Sequence, residues 1–255
     1  PTPPVPTVRE QTRDAKRRQR MELAFAVAFS PVICLVLAAL LMPLPEELRS
    51  SDVSADTSTV FLDRHERVLC EVRATDGARA RPIKLSEAGD HLINALLAAE
   101  DKRFRWHPGV DPIAIARAVG QFVWSRRVVS GGSTLTQQLA RNLVRRPRSV
   151  TGKLREIALA MRIEASLSKD RILEEYLNRI PFGPVLRGAE SASRYYFDKP
   201  THDLSLAEAA ALASLPRGPT LYDPRRSSER LLRRRDRVLR RMLEASLATK
   251  TDVER

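Results

Sequence analysis

The chain has 255 residues with 44 Lys+Arg against 31 Asp+Glu, a formal net charge of +13, and 43% hydrophobic residues. These values exclude a collagen-like or broadly disordered protein and allow one large domain or two small ones. Two cysteines, Cys34 and Cys70, are too few for a disulfide framework or a zinc site, so no metal site is predicted from them.

An uncharged apolar run at residues 23–42 is long enough to cross a bilayer as a helix, at about 1.5 Å rise per residue. The basic segment 13–20 precedes it, and such flanks stay in the cytoplasm. We therefore predict a cytoplasmic tail at 1–20, a single transmembrane anchor at 21–44 and all later residues outside the cytoplasm. A cleaved signal peptide is less favoured, because its apolar core is normally shorter. A buried soluble helix is the least favoured alternative.

Residues 45–84 are predicted to form a polar linker and a small β-hairpin, since β-prone runs at 59–64 and 67–72 flank two polar residues. No other strand is predicted. Capping residues and apolar periodicity then predict seven helices, at 86–104, 111–125, 134–144, 153–167, 168–178, 205–216 and 228–247. The fold class is therefore mainly α, with one domain over 85–245. Residues 246–255 are either a tail or the start of a further domain.

The first motif is an acidic pair, Glu100 and Asp101, at the end of a predicted helix, followed by Phe104, His107 and Gly109. Acids at this end oppose the helix dipole, so some other group must compensate them. The ordinary alternative is pairing on a solvated surface with a neighbouring base, Lys102, Arg103 or Arg105.

The second motif places two glycines before a helix start, an arrangement suited to an anion such as pyrophosphate. It comprises Gly131, Gly132, Ser133, Thr134, Gln137, Gln138, Arg141 and Asn142. It is not a P-loop, because no Gly-Lys-Ser/Thr follows. The third and fourth motifs contain Lys153 with Glu156, on one helix face, and Lys169, Ile172, Tyr176 and Asn178. A salt bridge and helix packing explain these two equally well when each is taken alone.

Taken together, in this order and spacing, the motifs resemble those of the peptidoglycan glycosyltransferase domain, glycosyltransferase family 51, of class A penicillin-binding proteins and monofunctional transglycosylases. One position departs from the pattern, because Gly152 stands where the family usually has Arg. Arg148 or Arg155 could replace that cation. The third motif and the residues after Asn178 resemble the C-type branch, penicillin-binding protein 1C. The resemblance implies a lysozyme-like α-helical fold.

The resemblance also implies an inverting enzyme that polymerises lipid II into β-1,4-linked glycan and releases polyprenyl pyrophosphate. It makes Glu100 the general base, Asp101 its support and Glu156 a second carboxylate on the donor side. No cofactor is required, although a divalent cation (Mg or Mn) could accompany the pyrophosphate. The implied substrate-binding residues are Phe104, His107, Gly131, Gly132, Ser133, Thr134, Gln137, Gln138, Arg141, Asn142, Lys153, Lys169, Tyr176 and Asn178.

The expected partners are lipid II, lipid-linked glycan, the membrane and other cell wall synthesis proteins. The expected location is the bacterial cytoplasmic (inner) membrane. Nucleic acid is not expected, because the basic run 225–241 has no aromatic residue for stacking on bases. Two interpretations of that run are equally favoured: a lipid-binding surface, or a solvated face or helix that leads into a further domain. A catalytically silent scaffold and a lysozyme-like lytic hydrolase remain alternative functions.

Overall fold

The computed structural model describes residue 30 and residues 33–49, 56–125, 132–144 and 149–254. The predicted tail, most of the first half of the anchor, Gly131 and Arg148 lie outside this set. Residues 33–41 form helix α1. Among the described residues, no helix is both long enough and apolar enough to cross a membrane. The transmembrane anchor therefore stays a prediction.

The predicted hairpin is confirmed. Strands β1 (Thr59–Leu62) and β2 (Val68–Val72) pair antiparallel, with Phe61 opposite Cys70. The prediction of no other strand is wrong, because a second sheet contains β3 (Arg79–Ala80), β4 (Pro181–Gly183) and β5 (Leu186–Arg187). The central strand β5 runs parallel to β3 and antiparallel to β4. Strands of two or three residues are too short to show an alternating pattern.

The mainly helical fold is also confirmed. After α2 (Glu46–Arg49) come α3 (Asp90–Glu100), α4 (Pro112–Ser125), α5 (Leu135–Leu143), α6 (Val150–Ser166), α7 (Lys169–Arg179), α8 (Ala189–Phe197), α9 (Leu206–Leu212), α10 (Pro224–Glu244) and α11 (Lys250–Glu254). Thr134, Ser168 and Ser205 cap α5, α7 and α9, as their spacing predicts. The sequence did not predict α8, and α10 begins earlier than expected, with a break at Ser227.

Helix α3 is shorter at both ends than the predicted helix 86–104. It begins after Gly89, whose φ of 77° favours glycine and where a Cβ would lie 2.7 Å from the Cα of His202. It ends at Glu100, because Asp101 adopts φ −154° and ψ 76° and leaves the helix. The two acids of the first motif therefore point to different surroundings.

The hydrophobic core joins α3, α5, α7, α9 and α10. Its largest fully buried side chains include Tyr176, Phe104 and Phe182. Helix α3 packs against both α9 and α10. This packing brings the carboxyl end of α3 against the basic helix α10, although the two are more than 120 residues apart in sequence.

Candidate active site

A cleft of about 510 Å³ opens beside the carboxyl end of α3. Helices α4, α5 and α10 and the turn after α9 supply its other walls. The lining is mostly polar and carries more positive than negative groups. Its residues include Glu100, Lys102, Arg117, Ser133, Gln138, Arg141, Arg217, Arg241 and Glu244.

Glu100 lines this cleft, yet its side chain is only 7% exposed. Its Oε1 accepts a hydrogen bond from Arg234 Nη2 at 2.9 Å, and its Oε2 accepts one from Gln138 Nε2 at 3.0 Å. The buried Tyr176 hydroxyl donates to Gln138 Oε1 at 3.1 Å and so fixes that amide. Burial, with the nearby Glu100 charge, raises the pKa of Tyr176 well above its usual value. The Glu100 carboxylate is thereby held in one orientation.

Helix α10 supplies the charge that the acidic end of α3 needs. Arg234 pairs with Glu100, and Arg241 donates to the carbonyl oxygen of Ala99 at 2.7 Å. The alternative in which the two acids pair with Lys102, Arg103 or Arg105 on a solvated surface is wrong for both arginines. Arg103 pairs with Asp111, and Arg105 pairs with Asp170.

Arg234 is the main site residue that sequence reasoning missed. Its side chain is 4% exposed, donates to the carbonyl oxygen of Ser214 at 3.3 Å and lies over the ring of Tyr222. Burial lowers the pKa of its guanidinium, and the Glu100 carboxylate acts in the opposite direction. The sequence held one signal for its burial: Arg234 lies three residues after Leu231 and four before Val238, on the buried face of α10.

Asp101 faces the protein interior rather than the cleft. Its carboxylate lies 3.0 Å from Nε2 of His107 and accepts the backbone N–H of Leu135 at 2.9 Å. Both side chains of the Asp101–His107 pair are nearly inaccessible. Thr134 also donates to the carbonyl oxygen of Gly109 at 2.7 Å. Asp101, His107 and Thr134 thus attach the turn after α3 to the start of α5.

Replacing Asp101 by alanine is expected to lower the free energy of unfolding by about 2–4 kcal/mol, because the His107 ring nitrogen and the Leu135 N–H lose a buried acceptor. Urea unfolding measures the loss. Asp236→Ala is the control, since Asp236 is about half exposed and pairs only with its neighbour Arg235 among the described residues. A loss no larger than that of the control would contradict the structural role of Asp101.

The second predicted carboxylate, Glu156, is linked to the cleft wall by the side chain of Lys153. The Lys153 ammonium contacts the Glu156 carboxylate and donates to Ser133 Oγ at 2.9 Å and to Gln137 Oε1 at 3.1 Å. The Glu156 side chain is only 1% exposed, whereas Ser133 lines the cleft. The consecutive residues Gln137 and Gln138 therefore connect one carboxylate site to the other across α5.

The remaining predicted substrate-binding residues divide between the cleft and its surroundings. Arg141 lines the cleft, and Gly132 lines a small adjoining cavity that also contains Glu100. Lys169 instead lies 4.5 Å from the centre of the buried Phe104 ring and pairs with Glu164. The amides of Asn142 and Asn178 donate to the backbone oxygens of Arg179 and Ile83, respectively.

Gly152 occupies the first turn of α6, where its N–H donates to the hydroxyl of the capping residue Ser149 at 3.0 Å. Arg155 is exposed on the same helix. That Arg155 takes the role of the arginine usual at position 152 stays a prediction.

Among the described residues, no group of three or more His, Cys, Asp or Glu side chains could hold a metal ion. The divalent cation also stays a prediction.

The geometry defines a class of protein: a helical protein with a buried, oriented carboxylate at the floor of a basic cleft, suited to proton transfer on an anionic substrate. A family model described as "Transglycosylase" matches residues 65–243. The chain therefore belongs to the transglycosylase family. Its mainly helical fold with a small sheet fits the lysozyme-like domain that the resemblance implies.

Individual relatives are penicillin-binding proteins. The chain is 44% identical over 173 residues to penicillin-binding protein 1A of Aquifex aeolicus, which is 68% of this chain and 24% of that protein. It is 44% identical to penicillin-binding protein 1C of Escherichia coli over 66% of this chain and 22% of that protein. Penicillin-binding protein 1A of Escherichia coli is 41% identical over 70% of this chain and 21% of that protein. The chain thus spans between a fifth and a quarter of the length of these relatives. Such similar identities do not separate the A and C types, so the C-type prediction stays a prediction.

Proposed function

We propose that the chain is a peptidoglycan glycosyltransferase domain that joins lipid II units into a β-1,4-linked glycan in bacterial cell wall synthesis. The observation that carries this proposal is the Glu100 carboxylate, fixed by Arg234 and Gln138, at the floor of a cleft lined by cations. Membership of the transglycosylase family supports the same reaction.

In the proposed reaction, the sugar 4-hydroxyl of the incoming lipid II gives its proton to Glu100 while its oxygen attacks the donor sugar. The new glycosidic bond forms as the bond to the polyprenyl pyrophosphate breaks, and the link changes from α to β. A base on the attacking side and charge stabilisation on the leaving side are what a single inverting displacement requires. Glu100 supplies the first of these.

The leaving pyrophosphate gathers negative charge, so cations placed before reaction lower the barrier. Arg117, Arg141 and Arg241 line the cleft. The Lys153 ammonium donates a hydrogen bond to Ser133, which also lines it. Glu156 holds the Lys153 ammonium in place. We assign Glu156 to the donor side in this indirect role. A divalent cation would be held chiefly by the pyrophosphate itself, since the described protein groups form no metal-binding cluster.

The substrate's lipid carrier requires the cleft to work beside a bilayer. The uncharged run 23–42 and the basic segment 13–20 support a single anchor in the cytoplasmic membrane, with the catalytic domain outside the cytoplasm. Lipid II, lipid-linked glycan and other cell wall synthesis proteins are the proposed partners.

Product analysis tests the proposal and separates it from the two alternatives. Detergent-solubilised protein is incubated with lipid II, and in parallel with purified cell wall glycan. New glycan polymer from lipid II is the expected result. Absence of any turnover would favour the silent scaffold, and degraded cell wall glycan would favour the lytic hydrolase. Either of those outcomes contradicts the proposed function.

A further inference from the structure

The exposed face of α10 carries a row of arginines that the proposed reaction does not use. Arg230, Arg233, Arg237 and Arg240 recur at spacings of three and four residues, so they share one side of the helix. All four are exposed, and they span about 15 Å along the helix axis. We call these four residues the arginine row.

Most of the positive charge of the arginine row is not paired with acidic side chains of the described residues. Arg233 pairs with Glu229 on the surface. Within the described part of the chain, Arg230 and Arg237 have no acidic partner within salt-bridge distance. A row of unpaired guanidinium groups attracts carboxylates and phosphates, which it can bind in bidentate fashion.

The row leads away from the cleft. Arg241 and Glu244 lie in the last turn of the same helix and line the cleft, and Arg240 adjoins them. An extended anion emerging from the cleft at this wall would meet Arg240, then Arg237, Arg233 and Arg230.

The wall of the cleft that α4 supplies has a different character. On α4, Arg117 and Gln121 line the cleft, and the exposed apolar residues Ile113 and Trp124 continue the same helix face. Helices that bind membrane surfaces combine basic residues with an apolar face that inserts among the lipids. Helix α10 has no such continuous face free, because Leu231, Val238 and Met242 are buried in the core and Leu232 is its one exposed large apolar residue. The row therefore fits a water-exposed polyanion better than a bilayer.

We infer that the arginine row of α10 binds the carboxylate-bearing peptides of the lengthening glycan strand as it leaves the cleft. This inference rests on the proposed function for the identity of the strand. The contact is electrostatic and exposed, so each ion pair contributes modestly and weakens with salt. Several such pairs would keep a long strand associated between successive additions.

The test measures binding directly, so that it does not depend on polymerisation. Soluble, uncrosslinked glycan strands that carry their peptides are titrated into the whole chain, its R230Q/R237Q variant and an R64Q/R73Q control. Arg64 and Arg73 are exposed in and after the hairpin, and the control removes the same charge. We expect R230Q/R237Q alone to weaken strand binding roughly three- to tenfold at low salt, and amidation of the peptide carboxylates to remove the difference.

Equal strand binding by the two variants would overturn the inference and leave the row a solvated face. Vesicles containing phosphatidylglycerol provide the competing measurement. If R230Q/R237Q loses vesicle binding but keeps strand binding, the row is a membrane contact and the inference also fails. Failure of the proposed function appears separately, as absence of polymer from lipid II in the unchanged protein.

Discussion

Replacing Glu100 by glutamine is expected to lower the rate of polymer formation from lipid II by about 10²- to 10⁴-fold, the usual contribution of a general base. The amide keeps the size of the side chain but cannot accept the proton of the attacking hydroxyl. The initial rate of lipid II consumption measures the effect. A variant that kept more than a tenth of the unchanged rate would show that Glu100 is not the base.

The fold of this variant must be checked, because Glu100 is also the partner of a buried cation. Glutamine can still accept from Arg234, but it leaves the buried guanidinium without a counter-charge and presents an amide group to the Gln138 donor. We therefore expect a loss of about 3–5 kcal/mol in the free energy of unfolding. Urea unfolding shows whether the variant is folded under assay conditions. Glu46→Gln, a change on the exposed side of α2, is the matched control for both measurements.

Local patterns predicted the helical domain well because caps and apolar periodicity are short-range signals. Thr134, Ser168 and Ser205 accept the backbone N–H groups that their positions predict. The second sheet escaped prediction, since β3 pairs with β5 more than 100 residues later and neither strand exceeds two residues. Its position depends on tertiary contacts, such as those of Asn178 with Ile83.

The candidate site was predicted by motif, but its electrostatics were not. Glu100 and Asp101 are neighbours in sequence, yet a single change of backbone direction sends one to the cleft and the other to His107. The cation that compensates Glu100 lies 134 residues away, so its spacing in α10 marks it as buried but no local pattern pairs it with Glu100. Only the packing of α10 on α3 brings that partner to the site.

Replacing Arg234 by methionine is expected to lower the free energy of unfolding by about 3–5 kcal/mol, because it leaves the Glu100 carboxylate buried without its counter-charge. Methionine keeps much of the apolar contact along the side chain, so the loss reports mainly on the charge. Urea unfolding measures it. The neighbouring Arg233→Met is the control, with an expected change within about 0.5 kcal/mol, since its pair with Glu229 is exposed.

The double variant R234M/E100Q separates the ion pair from the other contacts of Arg234. Removing both charges takes away the unpaired carboxylate, so the double variant should be more stable than R234M alone. Part of the loss should remain, because Arg234 also donates to Ser214 and lies over Tyr222. If the losses of the two single variants simply add, the Glu100–Arg234 contact contributes no coupling energy. The compensation of the acidic end of α3 would then have to come from Arg241 alone.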